Sequence, residues 1–171
     1  MNKIVAINNS NINRKRIESK KYDINKILDF IDKIYLINLD ERKDRLNNVI
    51  RQFKIFNLKN YKRFRAIKPK FDEINPIIYK NYSTHLSKDK NKYIIGATGC
   101  KFSHQEIIKE AMIKNYESIL ILEDDIEFSN NFLNSINYFI KNMKKIDWDM
   151  LYLGGRNKIS IDKLCTPTKF P

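Results

Sequence analysis

The sequence predicts an α/β fold with a mainly parallel sheet flanked by helices, and three observations carry this prediction. Short runs rich in β-branched and aromatic residues alternate with segments whose apolar residues recur at helical spacing. The chain has 171 residues, 42% of them hydrophobic, which is enough for one domain with its own core. Its apolar runs, such as residues 119–122, are far shorter than the ~20 residues of a membrane-spanning helix.

The first half of the chain contains two predicted strands and one predicted helix. Residues 1–31 are basic and Asn-rich, and we expect a loose N-terminal arm there. The apolar run over 33–38 is typical of a buried parallel strand. Helical spacing over 46–56 predicts the helix that follows, and 61–67 predicts a second strand. Residues 68–95 show no period and are expected to form a long loop.

The second half begins with a signal for the start of a helix. Ser103 and Glu106 have the spacing of a capping box, which predicts that a helix begins at Ser103. A third strand is predicted over 118–122, a helix over 132–143 and a fourth strand over 148–153.

Polar clusters follow three of the predicted strands. They are Asn38-Leu39-Asp40, Glu123-Asp124-Asp125 and Gly154-Gly155. The carboxyl ends of parallel strands meet at one edge of the sheet, where open α/β sheets bind their ligands. We therefore predict a ligand site at that edge.

An acidic segment interrupts a basic chain. Lys and Arg number 33 against 20 Asp and Glu, a net charge of +13, yet neither Lys nor Arg occurs between Lys114 and Lys141. That interval contains Glu123, Asp124 and Asp125, and carboxylates are ligands that Mg²⁺ and Mn²⁺ prefer. The alternative is a solvated acidic turn before a helix.

The basic charge has two interpretations. Residues 61–65 interleave aromatic and cationic side chains, as proteins that stack on nucleic-acid bases do. A half-buried strand with a solvated face is the favoured alternative. Many of the lysines have a simpler explanation, because an AT-rich genome encodes a high proportion of lysine.

Residues 38–45 connect a predicted strand to a predicted helix. Helix N-termini bind phosphate, and Arg42 or Arg45 would add bidentate contacts to it. The alternative is capping by Asp40, with Arg–Asp pairs along the helix surface.

Glycines precede the predicted capping box. Gly96 and Gly99 allow backbone N–H groups to approach a ligand, although their spacing is neither a Walker loop nor a dinucleotide fingerprint. His104 is predicted in the first helical turn, neutral and able to orient a ligand oxygen. Cys100 and Cys165 exclude a disulfide scaffold and favour a reducing compartment. Cys-x-x-x-His without further ligands does not indicate zinc.

Five motifs, in the same order as in the family, resemble glycosyltransferase family 25, which contains bacterial lipooligosaccharide (LPS biosynthesis) and procollagen galactosyltransferase enzymes. They are IYLINLDERKDR (34–45), FRAI (64–67), GATGCKFSH (96–104), LILEDD (120–125) and DWDMLYLGG (147–155). The resemblance divides the chain into the basic arm over 1–31, a family 25-like nucleotide-sugar domain over 32–156 and a tail over 157–171.

The resemblance implies a GT-A-like fold and inverting transfer of galactose or glucose from a UDP-sugar to a glycan or hydroxylysine-type acceptor. It implies that Mn²⁺, or Mg²⁺, is held by Glu123, Asp124 and Asp125. Asp147 and Asp149 are the candidates for the catalytic carboxylate. The implied donor-binding residues are Asn38, Asp40, Arg42, Arg45, Gly96, Gly99, Ser103, His104, Gly154 and Gly155.

Two departures from the family pattern leave other functions open. Lys68-Pro69 stands where the family usually has Asp-Gly, and the chain ends at Pro171, before the segments that build the acceptor side. We therefore expect a truncated acceptor side. The chain would then be a donor-binding half that a partner chain completes, a fragment of a longer enzyme, or an inactive remnant. The alternatives are an inactive module that binds a nucleotide-sugar or sugar, and a basic nucleic-acid-binding protein, although no nucleic acid is expected. Without a signal peptide or membrane span in the sequence, a cytoplasmic location is expected.

Overall fold

A parallel sheet is the centre of the fold in the residues that the computed structural model describes, which are 3–7, 23–74, 89–129, 131–143 and 148–153. Within these residues the sheet has five strands, and every pairing is parallel. The strands are β1 (Lys3–Ile7), β2 (Lys33–Asn38), β3 (Tyr61–Arg65), β4 (Ser118–Glu123) and β5 (Met150–Tyr152). Their order across the sheet is β3-β2-β4-β1-β5. The predicted α/β fold is confirmed.

Helices cover both faces of this sheet. They are α1 (Ile24–Ile27), α2 (Lys43–Ile55), α3 (Lys90–Ile113) and α4 (Phe132–Met143), and a 3₁₀ turn lies at Phe71–Glu73. The buried apolar residues of α1, α2 and α4 belong to one cluster, which covers one face of the sheet. Those at the end of α3 belong to a second cluster on the opposite face. Among the described residues, no helix is both long and apolar enough to cross a membrane.

Strands β2 and β4 are buried on both faces, which explains their nearly uninterrupted apolar sequences. Leu36 and Leu122 pack towards α2 and α4, whereas Tyr35 and Ile121 pack towards Ile107 of α3. Successive side chains of a strand point to opposite faces, so a strand covered on both sides needs apolar residues throughout.

The topology places a crevice between the carboxyl ends of β2 and β4. From β2 the chain continues to β3 at one edge of the sheet, and from β4 it continues to β5 at the other edge. The register sets Ile37 of β2 opposite Glu123 of β4 and Asn38 opposite Arg65 of β3. Open α/β sheets bind ligands at the point where the connections from two neighbouring strands lead in opposite directions.

Helix α3 begins thirteen residues before the predicted start at Ser103. Asp89 caps it, since its carboxylate accepts a hydrogen bond from the N–H of Lys92 at 3.0 Å. The predicted long loop over 68–95 is correspondingly shorter. Gly96 and Gly99, which have low helix propensity, concealed the helical character of this segment.

The capping box at Ser103 is therefore wrong, because Ser103 lies in the interior of α3. Its hydroxyl donates to the carbonyl of Gly99 at 2.7 Å and accepts from the N–H of Ile67 at 2.9 Å. Gly99 allows this close approach, since a Cβ there would lie 2.3 Å from the carbonyl oxygen of Ile67. Ser103 and Gly99 thus join α3 to the segment after β3.

Strand β1 lies within the segment that the sequence assigns to a loose arm. Lys3 pairs opposite Ser118, Ile7 pairs opposite Leu122, and β5 pairs with the other side of β1. The sequence reasoning missed this strand because only four apolar residues precede an Asn-rich region. The division at residues 1–31, 32–156 and 157–171 stays a prediction.

Candidate active site

A cleft of about 480 Å³ lies at the carboxyl ends of β2 and β4, where the sequence predicts a ligand site. It is bounded by the turn from β2 to α2, the segment after β3, the first part of α3 and the end of β4. Glu123 and Asp124 line it. The donor-binding candidates that also line it are Asn38, Arg42, Arg45, Gly96, Gly99 and Ser103.

Asn38 connects three segments around the cleft, and its side chain is buried. Its amide nitrogen donates to Oδ2 of Asp124 at 2.7 Å and to the carbonyl of Arg42 at 3.1 Å. Its amide oxygen accepts from Nε of Arg63 at 3.0 Å. These bonds use both amide hydrogens, so Asn38 positions Asp124 and the turn before α2.

The three carboxylates at the end of β4 contact two different helices. Asp124 is 8% exposed, and its Oδ1 accepts from a guanidinium nitrogen of Arg45 at 3.0 Å. The same nitrogen lies 3.6 Å from Oδ2 of Asp125. Glu123 faces α3 instead. Asp124 is thus bonded to both Asn38 and Arg45, and Arg45 of α2 supplies a cation that the local sequence lacks.

Glu123 lies beside Cys100 and His104 of α3. Its Oε1 is 3.7 Å from Sγ of Cys100 and 3.7 Å from Nε2 of His104. Desolvation raises the pKa of Glu123. The charge of Asp125 raises this pKa further, whereas His104 lowers it. Desolvation and the Glu123 carboxylate raise the pKa of the Cys100 thiol to about 12.

Asp40 and Arg42 form exposed ion pairs with partners other than the acids at the end of β4. Arg63 holds the pKa of Asp40 below its usual value by a 2.6 Å hydrogen bond, and Nε of Arg65 lies 2.7 Å from the same carboxylate. Arg42 binds Asp44 in a bidentate pair at 3.0 and 2.8 Å, which lowers the pKa of Asp44 to about 2. The alternative of Arg–Asp pairing is thus confirmed for Arg42.

The expected capping of α2 by Asp40 is wrong. Arg42 is the residue that precedes the first turn, and its side chain makes no capping hydrogen bond. The N-terminus of α2 therefore borders the cleft with its first turn uncapped by that side chain.

Gly96 and Gly99 lie inside a helix rather than before one, and His104 lies in the middle of that helix rather than in its first turn. Backbone N–H groups inside a helix bond to the carbonyl four residues earlier, so the expected approach of the N–H groups of Gly96 and Gly99 to a ligand is wrong. Gly96 still lines the cleft, and nothing lies within 4 Å of a Cβ built there. His104 lies in the middle of α3, and its Nδ1 is 2.9 Å from the carbonyl oxygen of Cys100.

Three predicted residues lie outside the described part of the chain: Asp147, Gly154 and Gly155. Asp149 is described and exposed, and it is not among the residues that line the cleft.

Sequence reasoning missed several residues of the cleft. Lys68 and Lys92 line it, and Lys68 pairs with Glu41. Arg63 reaches Asn38 from β3, and Cys100 reaches Glu123. Each belongs to a different element from its partner, so the signal available was only that Cys100 falls inside one of the recognised motifs and that Arg63 immediately precedes another.

Comparison with known proteins identifies the family. The model described as "Glycosyltransferase family 25 (LPS biosynthesis protein)" matches residues 31–165. The chain belongs to glycosyltransferase family 25. The resemblance noted in five motifs is therefore confirmed.

Curated relatives of this family 25 chain have several names. It is 27% identical over 134 residues to "Procollagen galactosyltransferase 2" of Homo sapiens, covering 73% of this chain and 21% of the relative. It is 29% identical over 131 residues to "Glycosyltransferase 25 family member" of Aedes aegypti, with 74% and 21% covered. It is 31% identical over 70 residues to "Inactive glycosyltransferase 25 family member 3" of Homo sapiens, with 40% and 12% covered.

The chain spans about a fifth of the length of the first two of these relatives. No solved structure matches it.

Proposed function

We propose that this chain is the donor-binding part of a GT-A-like, inverting glycosyltransferase that moves galactose or glucose from a UDP-sugar. One observation carries the proposal: this family 25 chain has a cleft at the carboxyl ends of β2 and β4, where the strand connections lead to opposite edges of the sheet. Its volume of about 480 Å³ falls within the range of small-molecule sites.

The charges around the cleft support a diphosphate-containing ligand. Four cations line it, Arg42, Arg45, Lys68 and Lys92, and the N-terminus of α2 adds its dipole. Three carboxylates line the same cleft. The cations and carboxylates are interleaved, since Arg45 pairs with Asp124 and Lys68 with Glu41, and such a lining fits a diphosphate that brings a divalent ion with it.

A Mn²⁺ or Mg²⁺ ion is proposed beside Glu123, Asp124 and Asp125. Asp124 and Asp125 fit it best, because both approach one nitrogen of Arg45, at 3.0 and 3.6 Å, and so already share a cation. Such ions bind through one or two carboxylates plus substrate phosphates. When bound, the ion would neutralise the charge that develops on the departing diphosphate.

The acceptor side of the reaction rests on the family alone. We propose a glycan or hydroxylysine-type acceptor, a carboxylate base for which Asp147 and Asp149 are the candidates, and further segments or a partner chain that completes this side. The free thiol of Cys100 fits a reducing setting such as the cytoplasm.

An inactive binding module is the second candidate, because relatives named as inactive are 31% and 33% identical to this chain over 70 and 63 residues. A nucleic-acid role is not favoured. The cations of β3 that suggested it are paired, Lys62 with Glu110 and both Arg63 and Arg65 with Asp40.

A thermal-shift series tests donor binding. We expect UDP with Mn²⁺ to raise the melting temperature, and GDP with Mn²⁺, or UDP with EDTA, to raise it less. Asp125→Asn should remove the Mn²⁺-dependent part of the UDP shift, because the ion loses a charged ligand. Asp29→Asn, which changes an exposed carboxylate at the end of α1, is the matched control and should keep the shift.

Turnover distinguishes the candidates. Release of UDP from UDP-galactose or UDP-glucose supports the enzyme, and UDP binding without release supports the inactive module. A melting temperature that UDP leaves unchanged contradicts donor binding, and steeply salt-dependent DNA binding in that case would favour the nucleic-acid function.

A further inference from the structure

A thiol, an imidazole and a carboxylate meet beside the cleft, between α3 and the end of β4. Cys100 and His104 are four residues apart and therefore lie on the same face of α3. Glu123 is the last residue of β4. One potential ligand atom from each residue lies within 4.8 Å of the other two.

Two separations between these atoms match a tetrahedral metal site. Zinc bonds to sulfur, nitrogen and oxygen are about 2.0–2.3 Å long, which separates neighbouring ligand atoms by about 3.3–3.8 Å in a tetrahedron. Oε1 of Glu123 lies 3.7 Å from Sγ of Cys100 and 3.7 Å from Nε2 of His104. Sγ of Cys100 lies 3.7 Å from Nδ1 of His104, so the separation between Sγ and Nε2 is the one that zinc binding would adjust.

The second hydrogen bond of His104 prepares it as a ligand. Nδ1 lies 2.9 Å from the carbonyl oxygen of Cys100, and a carbonyl only accepts, so Nδ1 carries the hydrogen. In the neutral ring this leaves the lone pair on Nε2, the nitrogen that faces Glu123. Histidines that bind metals usually donate their other N–H to a carbonyl or carboxylate in this way.

We propose that Cys100, His104 and Glu123 form a zinc site whose fourth position opens to the cleft. A thiolate, an imidazole and a carboxylate suit Zn²⁺, whereas Mn²⁺ prefers oxygen ligands. The thiol loses its proton on binding, so a thiolate and a carboxylate balance the two charges of the ion. Cys100 and Glu123 line the cleft, which gives the ion a path of entry.

Zinc bound at this site would affect the reaction. That effect rests on the proposed function, whereas zinc binding itself does not. Glu123 belongs to both the zinc ligands and the acidic group proposed for Mn²⁺. Zinc bound here therefore withdraws Glu123 from that group and places a second cation next to the donor. We expect zinc to inhibit Mn²⁺-dependent turnover, and Cys100→Ser to relieve that inhibition.

Metal titration of the whole chain tests the site. Co²⁺ should give a thiolate charge-transfer absorption that Zn²⁺ abolishes. Cys100→Ser should remove this absorption and weaken zinc binding more than about 100-fold, a loss greater than that of an outer partner. His104→Gln and Glu123→Gln should weaken it similarly. Cys165→Ser and Glu106→Gln, the second cysteine and an exposed carboxylate of α3, are the matched controls.

Two outcomes overturn the site: zinc affinity unchanged in Cys100→Ser, or charge-transfer absorption that disappears in Cys165→Ser. A second measurement avoids variants at the end of β4. In the Cys165→Ser chain, zinc should slow the reaction of Cys100 with a thiol reagent, and an unchanged rate contradicts the proposal. Cys100-dependent zinc binding without any UDP effect would contradict the proposed function and leave the zinc site standing.

Discussion

Arg45 shows at the residue scale how the fold alters the meaning of a sequence pattern. The acidic segment between Lys114 and Lys141 lacks any cation of its own. The fold brings Arg45, 79 residues away, to 3.0 Å from Asp124. The end of β4 lines the cleft, and the charge of its acids is partly balanced by the first turn of α2.

Gly99 and Gly96 make a matched pair for a stability test. Gly99→Ala places a Cβ 2.3 Å from the carbonyl oxygen of Ile67. Such overpacking costs about 1–3 kcal/mol. Gly96→Ala meets nothing within 4 Å and should stabilise α3 by about 0.5–1 kcal/mol, because alanine has the higher helix propensity. Urea unfolding measures both changes.

The test depends on the two substitutions changing the free energy of unfolding in opposite directions. If Gly99→Ala is as stable as the parent chain, the close packing of α3 on the segment after β3 is wrong. If Gly96→Ala is destabilising, the helical assignment of residues 90–102 is wrong instead.

At the scale of elements, α3 and β3 are joined by an ion pair between Lys62 and Glu110. Nζ of Lys62 lies 2.7 Å from Oε1 and 2.8 Å from Oε2 of Glu110. The bond from Lys62 holds the pKa of Glu110 below its usual value. A carboxyl whose pKa is depressed by folding adds stability above its unfolded pKa, and loses it as the pH falls through the folded pKa.

Glu110→Gln should therefore lower the free energy of unfolding at pH 7 by about 0.2–1 kcal/mol, the usual range for a partly exposed pair. The difference from the parent chain should shrink as the pH falls below 4.5 and disappear once Glu110 is protonated. Urea unfolding at pH 7 and in acid measures it. Glu106→Gln, which breaks a pair with Lys109 inside α3, is the control. Equal effects of both variants at pH 7 would contradict a link between the elements.

The elements that the sequence predicted well are those with a strong local pattern. Strands β2 and β4 and helices α2 and α4 were all located to within a few residues. Boundaries differ where neighbours decide them, since β3 ends at Arg65 and β5 covers only Met150–Tyr152. Helix α3 was misjudged because its glycines serve packing between elements, which no local pattern reveals.

At the scale of the whole molecule, β1 lies between β4 and β5 and connects them. Starting the chain at Asn8 should lower the melting temperature and expose β5 to hydrogen exchange, because β5 pairs with β1. Adding a peptide of residues 1–10 should restore part of the stability, and a scrambled peptide should not. An unchanged melting temperature would contradict the position of β1 in the sheet.

The sequence by itself determined the fold class, the family and the edge of the sheet where the cleft lies, because apolar periodicity and strand-end motifs are local properties. Only the tertiary structure decided which side chains meet there. Arg45 reaches Asp124, Arg63 reaches Asn38, and Cys100 with His104 reaches Glu123. These pairs join elements separated by up to 79 residues, and their distances follow from strand order and helix packing, which no local spacing encodes.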